Sequence, residues 1–172
     1  MDPARYSATE TLPDGSSIEI RALEPADRNE LRSAVGRMSD QSIYRRFFSP
    51  KQTFTDQEVA YYVNVDFVNH VALVAALQED GRSAIVGGTR YIVSEPGRAE
   101  VAFAVDDAHQ GQGIGALLMK HLAVIARRSG LKELFAEVLP NNMAMLKVFE
   151  KSRLGATTKR EQGVVHVTIK IS

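Results

Sequence analysis

The residues of this chain best suited to chemistry are a glycine-rich run, a strand-end carboxylate and an asparagine. The run is Gln110-Gly111-Gln112-Gly113-Ile114-Gly115, and Ile114, Leu117, Leu118, Leu122 and Ile125 recur after it at helical spacing. Glycines let a backbone turn tightly and let a ligand come close, because no Cβ intervenes. At a helix start, free N–H groups and the positive dipole end suit an anion such as a pyrophosphate. The plainer alternative is a flexible strand-to-helix connection. Upstream, Glu100 opens the segment Val101-Ala102-Phe103-Ala104-Val105. Strand alternation puts Glu100, Ala102 and Ala104 on one face and Val101, Phe103 and Val105 on the other. A carboxylate with small neighbours has room for a substrate and can accept a proton; otherwise it is a solvent-facing strand end. Downstream, Asn142 precedes an amphipathic stretch carrying Met145, Leu146, Val148 and Phe149.

Other chemistry is excluded or poorly supported. There is no cysteine, which removes disulfides, thiolate metal sites and a cysteine nucleophile. His70, His109, His121 and His166 form no helical i, i+4 pair, so no metal is expected. The 21 basic and 21 acidic residues cancel, which argues against a nucleic-acid partner held by a basic face. The longest apolar run, Val71 to Leu77, is far short of a membrane span of roughly 20 residues. Met1 to Arg5 lack the pattern of a secretory signal. With 44% apolar and 24% charged residues, the expectation is a soluble, cytoplasmic, single domain over 1–172.

The elements that must position these residues read as follows. Pro13-Asp14-Gly15 is a turn between Ala8–Thr11 and the alternating Ser17–Leu23. Pro25 and Asp27 open a helix with Leu31, Ala34, Val35 and Met38 on one face. Ser39 caps a short helix over Asp40 to Phe47, and Thr55 with Glu58 forms a capping box for another. Strands follow over Val71–Leu77, Ala84–Val93 and Ala99–Val105, with turns at 78–82 and 94–97. A helix over Gly113–Arg128 stops at Gly130. Then come a strand, Glu133–Leu139, a helix, Asn142–Lys151, and one or two strands ending with Val164–Ile171. Strands and helices mix without strict alternation, which reads as an α+β (mixed α/β) fold with a mixed sheet.

Two phosphate motifs compete for the glycine run. Gly111, Gly113 and Ala116 fit the dinucleotide pattern G-x-G-x-x-G/A. That fingerprint belongs at a first strand-to-helix turn, however, and too little chain follows here to complete such a domain. Gln110-x-x-Gly113-x-Gly115 instead resembles the acyl-CoA motif Q/R-x-x-G-x-G/A of the GNAT superfamily of N-acetyltransferases. Asn142, Met145, Phe149 and Lys151 resemble its later N-x-x-A/M-x-x-x-Y/F-x-K helix. The resemblance spans about 16–171. Within the superfamily, Met38–Pro50, Asp66 to Leu77 and Ala99 to Gly115 look most similar to bacterial protein lysine acetyltransferases. Several of those proteins join such a domain to a regulatory or acyl-CoA-synthetase-like one, and no such partner is expected within these 172 residues.

The resemblance implies a GNAT fold, with a central mixed, mostly antiparallel sheet flanked by helices. It implies acetyl-CoA as cosubstrate and a primary amine as acceptor, attacked directly in a ternary complex. Glu100 is the implied catalytic base. Phe103, Ala104 and Val105 would meet pantetheine through backbone groups, and Gln110, Gly111, Gln112, Gly113, Ile114 and Gly115 would hold the pyrophosphate. Asn142 would meet the pantetheine arm, cap its helix, or do both. Phe149 stands where many members have a proton-donating tyrosine, so no general acid is assigned. Lys147, Lys151, Arg127 and Arg128 stand as contacts to the CoA 3′-phosphate or as helix-surface charge. His70 stands as a proton relay or a structural histidine. Of the 12 aromatics, seven lie between Tyr44 and Phe67 and are core or acceptor groove, while Arg45 and Arg46 face an acidic target or solvent. A protein lysine is the expected acceptor. A small metabolite amine and a non-catalytic acyl-CoA sensor remain open, as do monomer and homodimer.

Overall fold

The computed structural model describes residues 2–31, 57, 64–79 and 81–171. The helices expected over Asp40 to Phe47 and from Thr55, and six of the seven clustered aromatics with Arg45 and Arg46, lie outside the described residues. One sheet organises the rest. Its strands are β1 (Ser7–Thr11), β2 (Ser17–Ala22), β3 (His70–Glu79), β4 (Arg82–Glu95), β5 (Arg98–Val105), β6 (Glu133–Val138), β7 (Thr157–Glu161) and β8 (Val164–Lys170). Helix α1 (Ile114–Arg128) connects β5 to β6, and α2 (Met143–Lys151) follows β6. The spatial order is β1-β2-β3-β4-β5-β6-β8-β7. Every neighbouring pair is antiparallel except β5 and β6, so this is the expected mixed sheet.

Local chemistry explains where the chain turns. Gly15 at φ 88° closes the β1–β2 hairpin, and the Asp14 carboxylate accepts the backbone N–H and the hydroxyl of Ser16. Gly81 and Gly97, also at positive φ, turn β3 into β4 and β4 into β5. After β2, Pro25–Asp27 forms a 3₁₀ turn leading into a helical stretch at 28–31. There Asp27 receives both terminal nitrogens of Arg21 at 2.8 and 2.9 Å and the Glu24 N–H at 2.7 Å. Burial alone would push the Asp27 carboxyl up, but these partners outweigh it and hold the group below the usual carboxylate range.

The main core lies between one sheet face and α1. Ile18, Ile20, Leu73, Val101, Leu134 and Ile169 from the strands meet Ile114, Leu118, Met119, Leu122 and Ile125 from α1. Burying each such side chain stabilises the fold by about 1.5–3 kcal/mol, which is why the 3.6-residue periodicity of α1 was legible. A smaller cluster of Leu23, Ala72, Val74 and Ile85, joined by Val65, occupies the opposite face. Strand β7 is a finding of the structure: Thr157–Glu161 is exposed throughout and has no apolar alternation to read. It pairs with β8 as a short, charged edge.

Candidate functional site

The site starts with a divergence between two strands. β5 and β6 pair only through Arg98, Ala99 and Glu100, opposite Glu133, Leu134 and Phe135. β5 then continues to Val105 without that neighbour. Backbone direction along β5 follows from two hydrogen bonds. The Asp106 N–H donates to Val86 on the β4 side, and the Thr89 hydroxyl donates to the Ala102 carbonyl at 2.9 Å. Even-numbered positions therefore point toward β4, and the N–H and C=O groups of Phe103 and Val105 point into the gap. This is the open edge on which an extended ligand can pair as an added strand.

The gap leads to the glycine run. Gly111 and Gly113 have φ of 85° and 84°, the left-handed region that glycine enters without a Cβ penalty. Gly113 is the N-cap of α1 and brings no side chain to the first-turn N–H groups. Gly115 has a different role. A Cβ there would lie 2.9 Å from Val148 Cγ2, so this glycine lets α2 close against α1. At the head of α2, the Asn142 side chain accepts the Met145 N–H at 3.1 Å, while its amide nitrogen lies 3.6 Å from Met145 Sδ. Asn142 is buried, and its capping role is thus observed. Phe149 meets Phe103 edge-on with ring centroids 5.4 Å apart, which ties α2 to β5 through an aromatic pair.

These elements enclose a pocket of about 240 Å³. Phe103, Ala104, Val105, Gln110, Gly111, Gly113, Ile114, Gly115 and Asn142, all named above as cofactor contacts, line it. Gln112 does not line it; its Oε1 is enclosed away from solvent instead. Gln110 does line it, yet its amide nitrogen donates to the Val105 carbonyl at 3.1 Å, which fastens the loop to the strand end. Lys147 and Lys151 lie on the wall, spaced i, i+4 on one side of α2. Arg127 and Arg128 are at the far end of α1, where Arg127 Nε donates to the Ile171 carbonyl. His109 also lines the pocket, with Nδ1 3.9 Å from the buried Asp106 carboxylate. Its position just before the glycine run, at residue 109, was the signal in the sequence that could have found it.

Glu100 is outside this pocket, on the second sheet face and exposed to solvent. It lies at the vertex of the divergence, in the last paired position before the strands separate. On that face, His70 is buried and its Nε2 lies 2.8 Å from Arg90 Nη1. Because a guanidinium only donates, that nitrogen is the acceptor, so His70 has a partner for Nε2 in the fold. Asp66, just before β3, accepts the N–H groups of Val68, Asn69 and His70, each at 2.9 Å. Led by the Val68 N–H, they hold its carboxyl below the usual range. Among the described residues no group of His, Asp and Glu could hold a metal, and no helix is long and apolar enough to cross a membrane.

Comparison with known proteins bears on what such a site does. The acetyltransferase (GNAT) family model matches residues 41–155. Acetyltransferase PA5475 of Pseudomonas aeruginosa is 33% identical over 137 residues, covering 79% of this chain and 74% of its own. Acetyltransferase Pat of Mycolicibacterium smegmatis is 33% identical over 160 residues, which are 91% of this chain but only 46% of that protein. The crystal structure of the GNAT domain of S. lividans PAT superposes with a TM-score of 0.86 at 35% identity, covering 95% of this chain and 96% of that one. With the strand divergence and glycine loop in place, the chain belongs to the GNAT family of acetyltransferases and is an acyltransferase.

Proposed function

We propose that this protein transfers an acetyl group from acetyl-CoA to a primary amine, with a protein lysine as the acceptor. The observation that carries the reading is the continuity of the open β5 edge with the uncapped N-terminus of α1 across one pocket. The residues present fit acetyl-CoA: the Phe103 backbone groups and the Val105 N–H face the gap, where an extended pantetheine can meet them, while the Val105 carbonyl is held by Gln110. Gly111, Gly113 and the first N–H groups of α1 offer a cradle for the pyrophosphate. Bound acetyl-CoA supplies an activated thioester carbonyl and a thiolate leaving group. The lysine reading is supported by the stretches resembling bacterial protein lysine acetyltransferases and by the likeness to Pat and PAT.

The chain's own task is to manage protons and position. A lysine amine has an ordinary pKa of about 10.4 and is almost entirely protonated at neutral pH. Glu100 takes one proton from the ammonium, directly or through water, the neutral nitrogen attacks the carbonyl carbon as the C–S bond breaks, and the nitrogen then sheds its second proton to solvent water. Backbone donors at the β5 edge face the carbonyl oxygen as its charge develops. Phe149 has no proton to give, so the thiolate leaves as the anion or takes its proton from water. No cysteine is present to form an acyl-enzyme, in keeping with direct attack in a ternary complex.

The test has two arms. Calorimetry should show acetyl-CoA binding, absent for NAD and ATP and abolished by Gly113→Glu, which fills the cradle. Glu100→Gln should keep that affinity while turnover falls by about 10²–10⁴-fold. Binding without turnover on any amine would make the protein an acyl-CoA sensor. Mass shifts confined to small amines, with none on lysines of a whole-cell protein extract, would overturn the lysine acceptor.

A further inference from the structure

We propose that Ile92 and Phe135, on either side of Glu100, form the walls of an acceptor slot that selects a primary amine on an unbranched alkyl chain. The inference rests on the acetyl-transfer reading above and names how its acceptor is chosen. Sheet register places the three residues in one lateral row. Ile92 of β4 is opposite Glu100 of β5, and Glu100 is opposite Phe135 of β6. Laterally paired residues direct their side chains to the same face.

Ile92 is one of the few large apolar side chains exposed among the described residues, at 37%. The Phe135 ring is partly open on the same face. Arg98 steadies it, its guanidinium carbon lying 3.8 Å from the ring centroid while Nε donates to Glu133 at 3.1 Å. Two strand spacings separate the backbones of Ile92 and Phe135, about 10 Å. Glu100 stands in the row between them, so an alkyl chain whose ammonium reaches its carboxylate runs beside Ile92 on one flank and Phe135 on the other. Ala102, two residues along β5, keeps the floor low beyond Glu100.

Charge points to the same occupant. Arg98, next to Glu100 along the strand on that face, is balanced by Glu133 at 3.1 Å and Glu95 at 3.5 Å. The exposed Glu100 carboxylate therefore presents negative charge at the centre of an apolar row, as an alkylammonium ion requires. The row lies at the vertex where β5 and β6 part, so an amine seated on it faces the gap.

The experiment measures CoA release with acetyl-CoA and a series of unbranched amines, from ethylamine to butylamine, for the wild type, Ile92→Ala, Phe135→Ala and Phe135→Leu. Wild-type kcat/KM should rise by about fourfold per methylene, the factor expected for burying each one. Either alanine variant should flatten that slope to about twofold or less through KM for the amine, with acetyl-CoA affinity by calorimetry unchanged. Phe135→Leu should recover part of the slope. Calorimetry also reports folding, and Ile92→Ala stands as the surface variant if Phe135→Ala does not fold. A wild-type slope retained in a folded Ile92→Ala variant overturns the slot while leaving acetyl transfer intact. Absence of wild-type turnover with every amine and with lysine peptides overturns the acetyl-transfer reading itself, and the slot with it.

Discussion

The contact between Gly115 and Val148 makes a sharp prediction, because it couples the loop to the opposite wall of the pocket. A Cβ added at Gly115 would sit 2.9 Å from Val148 Cγ2 and 3.2 Å from Cγ1. Comfortable carbon–carbon contact is about 3.5–4.0 Å, so the closer pair is short by roughly 0.6–1.1 Å. Valine in a helix is confined to essentially one χ1 rotamer, so the overlap is relieved by moving α2 rather than by turning the side chain. Overpacking of this kind costs about 1–3 kcal/mol. Replacing glycine by alanine in a helix offsets up to about 1 kcal/mol, leaving a net loss near 1–2 kcal/mol. For a domain of this size that lowers Tm by about 2–8 °C.

The displaced helix carries Lys147, Val148 and Lys151 and is capped by Asn142, all of them on the pocket wall. Acetyl-CoA affinity should therefore fall by about tenfold, or 1.4 kcal/mol. Chemical denaturation and calorimetry on Gly115→Ala, Val148→Ala and the double variant check this. Val148→Ala makes room for the new methyl, so the double variant should recover stability and affinity relative to Gly115→Ala alone, with a coupling of about 0.5–3 kcal/mol. A Gly115→Ala protein as stable and as tight-binding as the wild type would refute the reasoning, as would losses that simply add.

Further outcomes follow from the same geometry. Lys147→Ala and Lys151→Ala should each weaken acetyl-CoA by about two- to fivefold at low salt and reduce its salt dependence, while Arg127→Ala leaves binding unchanged; the reverse ranking in calorimetry would show that the phosphates lie elsewhere. Asn142→Ala should cost about 1 kcal/mol through loss of the helix cap, measured by urea denaturation. Asp27→Asn should cost about 2–3 kcal/mol at pH 7, less than a fully buried pair because Arg21 stays partly solvated. Since the folded Asp27 carboxyl is held below its unfolded value of about 3.9, its contribution is present above that pH. It is lost as pH falls through the folded value, so the wild type and Asp27→Asn should converge in acid. Saturating acetyl-CoA at about 100 times its Kd should add about 2.7 kcal/mol and raise Tm by roughly 5–11 °C; an equal shift with NAD would refute the selectivity of the pocket.

Much of the site was legible because its signals are local. The positive φ at Gly111 and Gly113 is a property glycine announces by itself, and the helical period of Ile114 to Ile125 follows from burying one face. Asn142 reads as a cap from its place before an apolar-periodic run, and hydrogen bonding to Met145 bears this out. Strand alternation likewise separated Glu100 from Phe103 and Val105 before any fold was known. What no local pattern contains is the point at which two strands stop pairing. That β5 parts from β6 after Glu100 depends on the register between segments more than thirty residues apart, and with it come the pocket, the open backbone edge and the row Ile92–Glu100–Phe135.

The same physics divides the cationic residues. Lys147, Lys151, Arg127 and Arg128 were equivalent as helix-surface charges, and only the approach of α2 to α1 through Gly115 brought the two lysines to the pocket and left the arginines at the far end. By itself the sequence determined the apolar-periodic strands and helices among the described residues, the loop's conformation and the chemistry its residue types allow, because backbone preference and side-chain pKa act over a few residues. The tertiary structure decided which of those groups share a site, because that follows from long-range packing and strand register.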